Sequence, residues 1–324
     1  MPLTGFAMKK KKIKIGVVGI GHLGNYHLQK YENLANCEIT AVADTVPERA
    51  QKAAEQYRCA AFSDYRKMFD KIDAASIAVP TSEHFRVARD FLAAGIDVLI
   101  EKPICSTLEE ADELIELARR KNLILQVGFV ERFNPAIMAL DKVITRPLFI
   151  ESHRLHPFFE RGTDVDVILD LMIHDLDIIT KFVNAPVKSV EAVGVPILSE
   201  KIDIANARIT FASGCIANIT ASRISAKTMQ KIRFFGVEGY HSVDCQKREI
   251  LSLATVKNDR GQLQIVQNHV DVGSHDPLEE EIRSFTDAVM KRTAPPVSGE
   301  DARLSLQLAV EIINKMKFAE DMRK

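Results

Sequence analysis

In ILDLMIHDLDII, residues 168–179, a mostly apolar run carries Asp170, His174, Asp175 and Asp177. On a helix turning about 100° per residue, Asp170, His174 and Asp177 share one narrow stripe, with Asp166 just upstream. Leu, Met and Ile fill the other faces. A helix apolar nearly all round belongs in an interior, so a line of titratable groups on it calls for a use. Asp170 and His174 stand four residues apart and are neighbours on one face. A carboxylate beside an imidazole orients it and raises its basicity, which suits it to take a proton from an alcohol. Asp175 points off the stripe and reads as a structural ion-pair partner. Asp177, a turn further along, also reads as structural.

A second set of chemical groups lies in the first third of the chain. VVGIGHLGNYH supplies Gly19, Gly21 and Gly24 as G-x-G-x-x-G, after an apolar run and at the opening of a helix. The first glycine permits a tight turn, the second lets a pyrophosphate approach the backbone, and the third allows close helix–strand packing. The helix start, with His22 and Leu23, then faces the anion. The next apolar run ends in Asp44, 20 residues past Gly24. A carboxylate there can hold ribose hydroxyls and would repel a 2′-phosphate, which predicts NAD rather than NADP. DVLIEKPICS places Glu101, Lys102 and Pro103 at the end of another apolar run. Ligands of parallel sheets bind outside the carboxyl ends of the strands, so Lys102 is expected to face the nicotinamide, with Glu101 beside the cofactor. Pro103 holds Lys102 extended. VPTSEH (79–84) makes a similar turn, with Pro80 and Thr81 by the cofactor; His84 serves either the cofactor or the first turn of the next helix.

These groups need a scaffold, and the patterning supplies one. Strands are expected at 13–19, 38–44, 74–80, 97–101 and 123–128, with helices near 22–33, 47–57, 83–94 and 107–121. Ser106 and Glu109 fit a capping box at the last helix. Alternating β and α with apolar strands means a parallel, doubly wound sheet covered on both faces. After Gly128 the rhythm changes. Helices are expected at 133–144 and 166–182, about eight strands between 148 and 267, and two helices at 277–291 and 301–322. Short turns such as ASGC and VEGY imply antiparallel pairing. The expected architecture is therefore an α/β Rossmann domain at 1–127 and an α+β domain at 128–324 on a large, mostly antiparallel open sheet, whose last helix could pack back on the first domain.

Composition sets the outer bounds. The chain has 324 residues, 46% hydrophobic and 27% charged, with net charge −1, as in ordinary globular enzymes. Its only basic run, KKKKIK, is too short for a nucleic-acid footprint. No apolar stretch reaches the roughly 18–20 residues that span a bilayer, and Lys14 with the glycines interrupts any signal-peptide core. Five scattered cysteines without a CxxC pair fit reduced thiols and a cytoplasmic location.

The G-x-G-x-x-G turn, Asp44, EKP at 101–103 and DLMIH at 170–174 together resemble the Gfo/Idh/MocA family of sugar and inositol dehydrogenases, over essentially the whole chain. The resemblance implies an N-terminal Rossmann domain, NAD, and a C-terminal open sheet of a kind that often mediates oligomers; small and polar residues alternating on one side of IANARITF and CIANITASRI suit a face packed on another subunit, in a homodimer or homotetramer. It also implies Lys102, Asp170 and His174 as the catalytic set, with either Lys102 or His174 as the base. ERFNP and the arginine-rich approach to DLMIH are similar to the branch that oxidises the 3-hydroxyl of UDP-N-acetylglucosamine or its uronic acid. On that basis Arg132, Asn134, Arg154, His156, Arg161 and His174 are expected around a nucleotide-linked sugar, arginine's fork being suited to phosphate oxygens. Two alternatives stay open: a dehydrogenase of a free sugar or inositol, with these arginines paired to carboxylates, and a non-catalytic NAD-binding sensor. His153, His156, Asp170 and His174 could in principle gather Zn²⁺, but H-x-x-H on a strand sends its two histidines to opposite faces. No metal is expected.

Overall fold

A computed structural model describes residues 12–158, 165–237 and 239–318. The chain divides into two compact units, Met1–Gly128 with Leu278–Gly299, and Phe129–Pro277 with Glu300–Lys324.

The first unit alternates β1 (Ile13–Val18), α1 (His22–Glu32), β2 (Cys37–Ala43), α2 (Pro47–Tyr57), β3 (Ala60–Phe62), β4 (Ala74–Ile77), α3 (Thr81–Ala93), β5 (Asp97–Glu101), α4 (Leu108–Lys121) and β6 (Leu125–Gly128). All strand pairs are parallel, in the order β3-β2-β1-β4-β5-β6. This is the dinucleotide-fold order, and it reverses between β1 and β4, where such sheets bind ligands. The interior strands are buried on both faces, Ile15, Val17, Val98, Leu99 and Ile100 being wholly enclosed. That is why they read as continuous apolar runs. The capping box lies one residue later than expected: Thr107 Oγ1 accepts from Glu110 N at 3.2 Å, and Glu110 Oε2 accepts from Thr107 N at 3.2 Å. Both overlapping S/T-x-x-E frames satisfy the pattern, and Thr107 is the extended residue at the helix start (φ −130°, ψ 162°).

The second unit contains α5 (Pro135–Ala139), β7 (Pro147–Leu155), α6 (Ile173–Val183), β8 (Val187–Val195), β9 (Ile204–Phe211), β10 (Ile216–Ser222), β11 (Met229–Gly236), β12 (Gly239–Asp244), β13 (Glu249–Lys257) and β14 (Leu263–Asn268). Two further helices, α7 (Pro277–Lys291) and α8 (Gly299–Lys315), are followed by β15 (Met316–Phe318). The sheet runs β14-β13-β12-β11-β7-β10-β9-β8-β15 and is antiparallel except for the β7–β10 and β8–β15 pairs. Ile150, Ala207, Ile209, Ile219 and Phe234 from one face share a core with Ile168, Met172, Leu176 and Ile179, and with Leu308 and Ile312 of α8. On the other face Asn206 bonds Thr220 and Arg208 bonds Asn218.

Three expectations change. The helix expected at 133–144 is broken, because Pro135 keeps Asn134 extended (φ −62°, ψ 124°) and α5 starts only at the proline. The final helix stops at Lys315, and Met316–Phe318 pair with β8 instead, covering a sheet edge that would otherwise leave backbone groups unpaired. The segment that joins the first unit is α7 rather than the last helix. Its Ile282, Phe285, Ala288 and Val289 enter the core of that unit, and Gln126 Nε2 donates to the Glu281 carbonyl at 3.0 Å.

Candidate functional site

The turn after β1 assigns each glycine a different task. Gly19 has φ +86°, and a Cβ there would sit 2.5 Å from the Ala78 carbonyl oxygen. A Cβ on Gly24 would lie 1.9 Å from the Gly19 carbonyl oxygen, so helix and turn close on each other only without one. Gly21 has nothing within 4 Å of that position. It is also the N-cap of α1, makes no side-chain cap, and precedes a first turn without acidic residues. The result is an open backbone surface at a helix N-terminus, where amides and macrodipole favour an anion. His22 and Leu23 are exposed on it. The residues present fit the pyrophosphate of a dinucleotide.

Asp44 follows β2 and is nearly enclosed; its carboxylate accepts from Ile20 N at 2.6 Å and from Val46 N at 2.8 Å. The acid is thus tied to the glycine turn itself, with lone pairs left for ribose hydroxyls. The unmodified protein is expected to bind NAD far more tightly than NADP in calorimetry. Asp44→Ala should weaken NAD by roughly ten- to a hundredfold, the worth of a hydrogen bond to a charged group, and narrow the preference. Equal affinity of the unmodified protein for NADP would refute the assignment.

Pro80 and Thr81 lie at the α3 start, and Lys102, half-buried, stands at the carboxyl end of β5 with a cis bond to Pro103. Two expected cofactor contacts are corrected. Glu101 is turned inward, its Oε1 2.9 Å from His27 Nε2. Burial alone would push this carboxyl up; the His27 bond, with Lys102 and His84, brings it below the usual carboxylate range. His84 is enclosed, with Nδ1 2.8 Å from the Pro103 carbonyl oxygen and Nε2 2.9 Å from that of Val79. Burial lowers its pKa, outweighing the two carbonyls that raise it, and a neutral ring donates to only one of them at a time. His84 is therefore a strut between two loops. Sequence reading missed His27, although Gly24, His27, Leu28 and Tyr31 form the buried stripe of α1 and their spacing alone places the imidazole inside.

The Asp170–His174 segment starts as a π-helical turn, Ile168–Met172, before α6. Asp166 anchors it, its Oδ1 accepting from Ile202 N at 3.0 Å. Residues four apart overrun a full turn by about 40° on an α-helix, and the wider i→i+5 turn, which winds less per residue, reduces that offset. Such turns within helices often mark functional sites. Burial separates the polar groups: Asp170 and His174 are half-buried, Asp175 and Asp177 enclosed. The buried Phe129 ring meets the His174 imidazole edge-on, centroids 6.1 Å apart.

The enclosed acids hold the arginines assigned above to substrate. Arg132 Nε and Nη2 donate to Asp177 at 2.5 and 2.9 Å. Arg154 donates to Asp175 Oδ1 at 3.1 and 2.8 Å and to Glu131 Oε1 at 3.2 Å. Burial opposes the Arg154 charge, and the two carboxylates overcome it, raising its pKa. Asn134 is committed too: it caps α5 through Ala136 N at 3.1 Å and donates to the Cys245 carbonyl at 2.9 Å. All three are thus engaged by partners within the chain, as buried guanidiniums require. His156 is half-buried at the end of β7. Arg161 lies outside the described residues.

Among the described residues, three metal-type ligand atoms come within 4.8 Å of one another at His27, Glu101 and Glu281. There the imidazole already bonds Glu101. Burial, then the Glu101 charge, pushes the Glu281 carboxyl well above its ordinary range.

Residues 13–129 match the model of the oxidoreductase family with an NAD-binding Rossmann fold, and residues 143–242 match the Gfo/Idh/MocA C-terminal domain. The chain is 36% identical over 305 residues to UDP-N-acetylglucosamine 3-dehydrogenase of Acidithiobacillus ferrooxidans, covering 93% of this chain and 96% of that one. It is 25% identical over 318 residues to myo-inositol 2-dehydrogenase of Thermotoga maritima, covering 91% and 94%. A solved structure of the Acidithiobacillus enzyme superposes with TM-score 0.87 over 94% of this chain and 98% of that one, at 36% identity. The NAD(H)- and scyllo-inositol-bound dehydrogenase of Lactobacillus casei, 22% identical, shares the fold with TM-score 0.79 over 94% of this chain and 97% of that one.

Proposed function

The chain belongs to the Gfo/Idh/MocA family of NAD-binding oxidoreductases, and from that premise we propose that it oxidises the 3-hydroxyl of UDP-N-acetylglucosamine or its uronic acid. One observation carries the substrate: the likeness to a UDP-N-acetylglucosamine 3-dehydrogenase runs along nearly the full length of both chains. The arginine argument does not carry it, because Arg132 and Arg154 are spent on internal carboxylates.

Bound NAD supplies a hydride acceptor at its nicotinamide ring. The Gly19–Gly24 turn and Asp44 hold the dinucleotide through its pyrophosphate and adenosine ribose. An imidazole nitrogen of His174 takes the hydroxyl proton as the carbon loses hydride, and Asp170 orients that ring. The Lys102 ammonium donates to the same oxygen and stabilises its developing negative charge. The roles of Lys102 and His174 as base can be exchanged without altering the overall balance: alcohol and oxidised cofactor become ketone, reduced cofactor and a proton.

The test offers UDP-N-acetylglucosamine, its uronic acid and myo-inositol side by side, with an aminotransferase to draw off the ketone. Absorbance of reduced nicotinamide should rise with a UDP-sugar. A rise with inositol alone, and no binding of either UDP-sugar, would leave only the family-level activity.

The open sheet face, with its small and polar residues on β9 and β10, supports assembly into a homodimer or homotetramer. Light scattering at micromolar concentration should give a multiple of the 36.2 kDa chain mass, and a monomeric mass would count against it. No helix among the described residues is long and apolar enough to cross a membrane. A cytoplasmic location belongs to the proposal because NAD and UDP-sugars are supplied there.

A further inference from the structure

Lys102 has a neighbour on each side that is gripped by a buried histidine from a different helix. On one side, His27 Nε2 lies 2.9 Å from Glu101 Oε1. The other nitrogen of that ring, Nδ1, meets Ser76 Oγ at 2.9 Å, and Tyr31 Oη reaches the same hydroxyl at 3.2 Å. On the other side, His84 Nδ1 lies 2.8 Å from the Pro103 carbonyl oxygen and Nε2 2.9 Å from the Val79 carbonyl oxygen. Relative exposures of 0% for His27 and 1% for His84 exclude direct contact of either ring with a ligand.

The helices that carry these rings begin at the two loops expected to seat the cofactor. α1 opens on the Gly19–Gly24 turn, and His27 stands three residues past Gly24. α3 opens at Thr81, directly after the Val79–Pro80 turn, and His84 lies in its first turn. Burying a polar ring costs free energy unless its nitrogens are satisfied, and an apolar side chain would fill either site without that requirement. What the imidazoles add is direction. His27 ties α1 to the backbone just before Lys102, and His84 lies between the carbonyls of both loops, its single N–H donating to one of them when the ring is neutral. Space for the inward Glu101 is kept by Gly128, where a Cβ would come within 3.2 Å of the Glu101 carboxyl carbon.

We infer that His27 and His84 are positioning residues that fix Lys102 relative to the glycine turn and the Val79–Thr81 turn, so that seating the cofactor also seats the lysine. The inference rests on the role given to Lys102 under Proposed function. A displacement of about 1 Å in a catalytic group can cost up to 10²-fold in rate. His84→Gln and His27→Asn should each lower kcat roughly ten- to a hundredfold, with substrate KM little changed.

A double-mutant cycle separates positioning from plain stability. If His84 acts through Lys102, His84→Gln should cost little more once Lys102→Ala is present; fully additive losses would overturn the inference. A second readout needs no substrate. The pH dependence of Lys102 reductive methylation, followed by mass mapping of the intact protein, should shift in both histidine variants. An unchanged profile in both would overturn the inference whichever sugar is oxidised. Failure of every sugar to reduce NAD would instead count against the proposed function and leave the methylation profile to decide this one.

Discussion

Replacing His174 with alanine is expected to lower kcat about 10²- to 10⁴-fold, the usual cost of removing a positioned acid–base group, and to leave NAD affinity essentially unchanged. The split follows from where the groups lie. The cofactor residues Gly19, Gly21, Gly24 and Asp44 belong to the first unit, and His174 to the second. Lys102→Ala should produce a loss of similar size, because an ammonium aimed at a developing alkoxide is worth most where water is excluded. The proposed chemistry has both groups act on the same hydroxyl, and it therefore requires the double variant to lose less than the product of the single losses. Near-normal turnover by either single variant, with NAD binding intact in calorimetry, would refute the assigned chemistry.

The second large effect falls on stability. Arg154→Ala removes the cation that compensates Asp175 and Glu131, and Arg132→Ala strands Asp177, which is 1% exposed. Taking one partner from a buried pair costs about 3–5 kcal/mol, since the remaining charge is left without water or counter-ion. Urea unfolding should therefore show each variant markedly destabilised. Arg154→Lys should recover only part of the loss, because an ammonium cannot reproduce the two guanidinium bonds to Asp175. Unchanged stability together with a raised KM for substrate would return these arginines to the binding role first expected of them.

The contrast between those arginines and the glycine turn shows what a sequence can disclose. The placement of Gly19, Gly21, Gly24, Asp44 and Lys102 was legible because it is local: each stands within a few residues of a strand end or helix start. The doubly wound sheet was legible for the same reason, its strands announced by apolar runs and its helices by amphipathic spacing. The carboxylate partners of Arg132 and Arg154 were not legible because they lie 45 and 21 residues away, and no periodicity links them. The inward turn of Glu101 was hidden likewise, as its partner His27 is 74 residues distant. The π-helical turn at Ile168–Met172 leaves no mark in a pattern read at the α-helical period. The return of α7 to the first unit depends on which core its apolar face enters, and spacing specifies the face but not the core.

Site-specific isotope transfer tests the central claim most directly. UDP-N-acetylglucosamine carrying deuterium at C3 is incubated with the protein and NAD, and the reduced cofactor is examined by mass spectrometry. Abstraction of hydride from C3 predicts reduced cofactor bearing the deuterium, formed more slowly than from the unlabelled sugar. Reduced cofactor free of deuterium, or no reduction at all while an unphosphorylated inositol is oxidised, would contradict it.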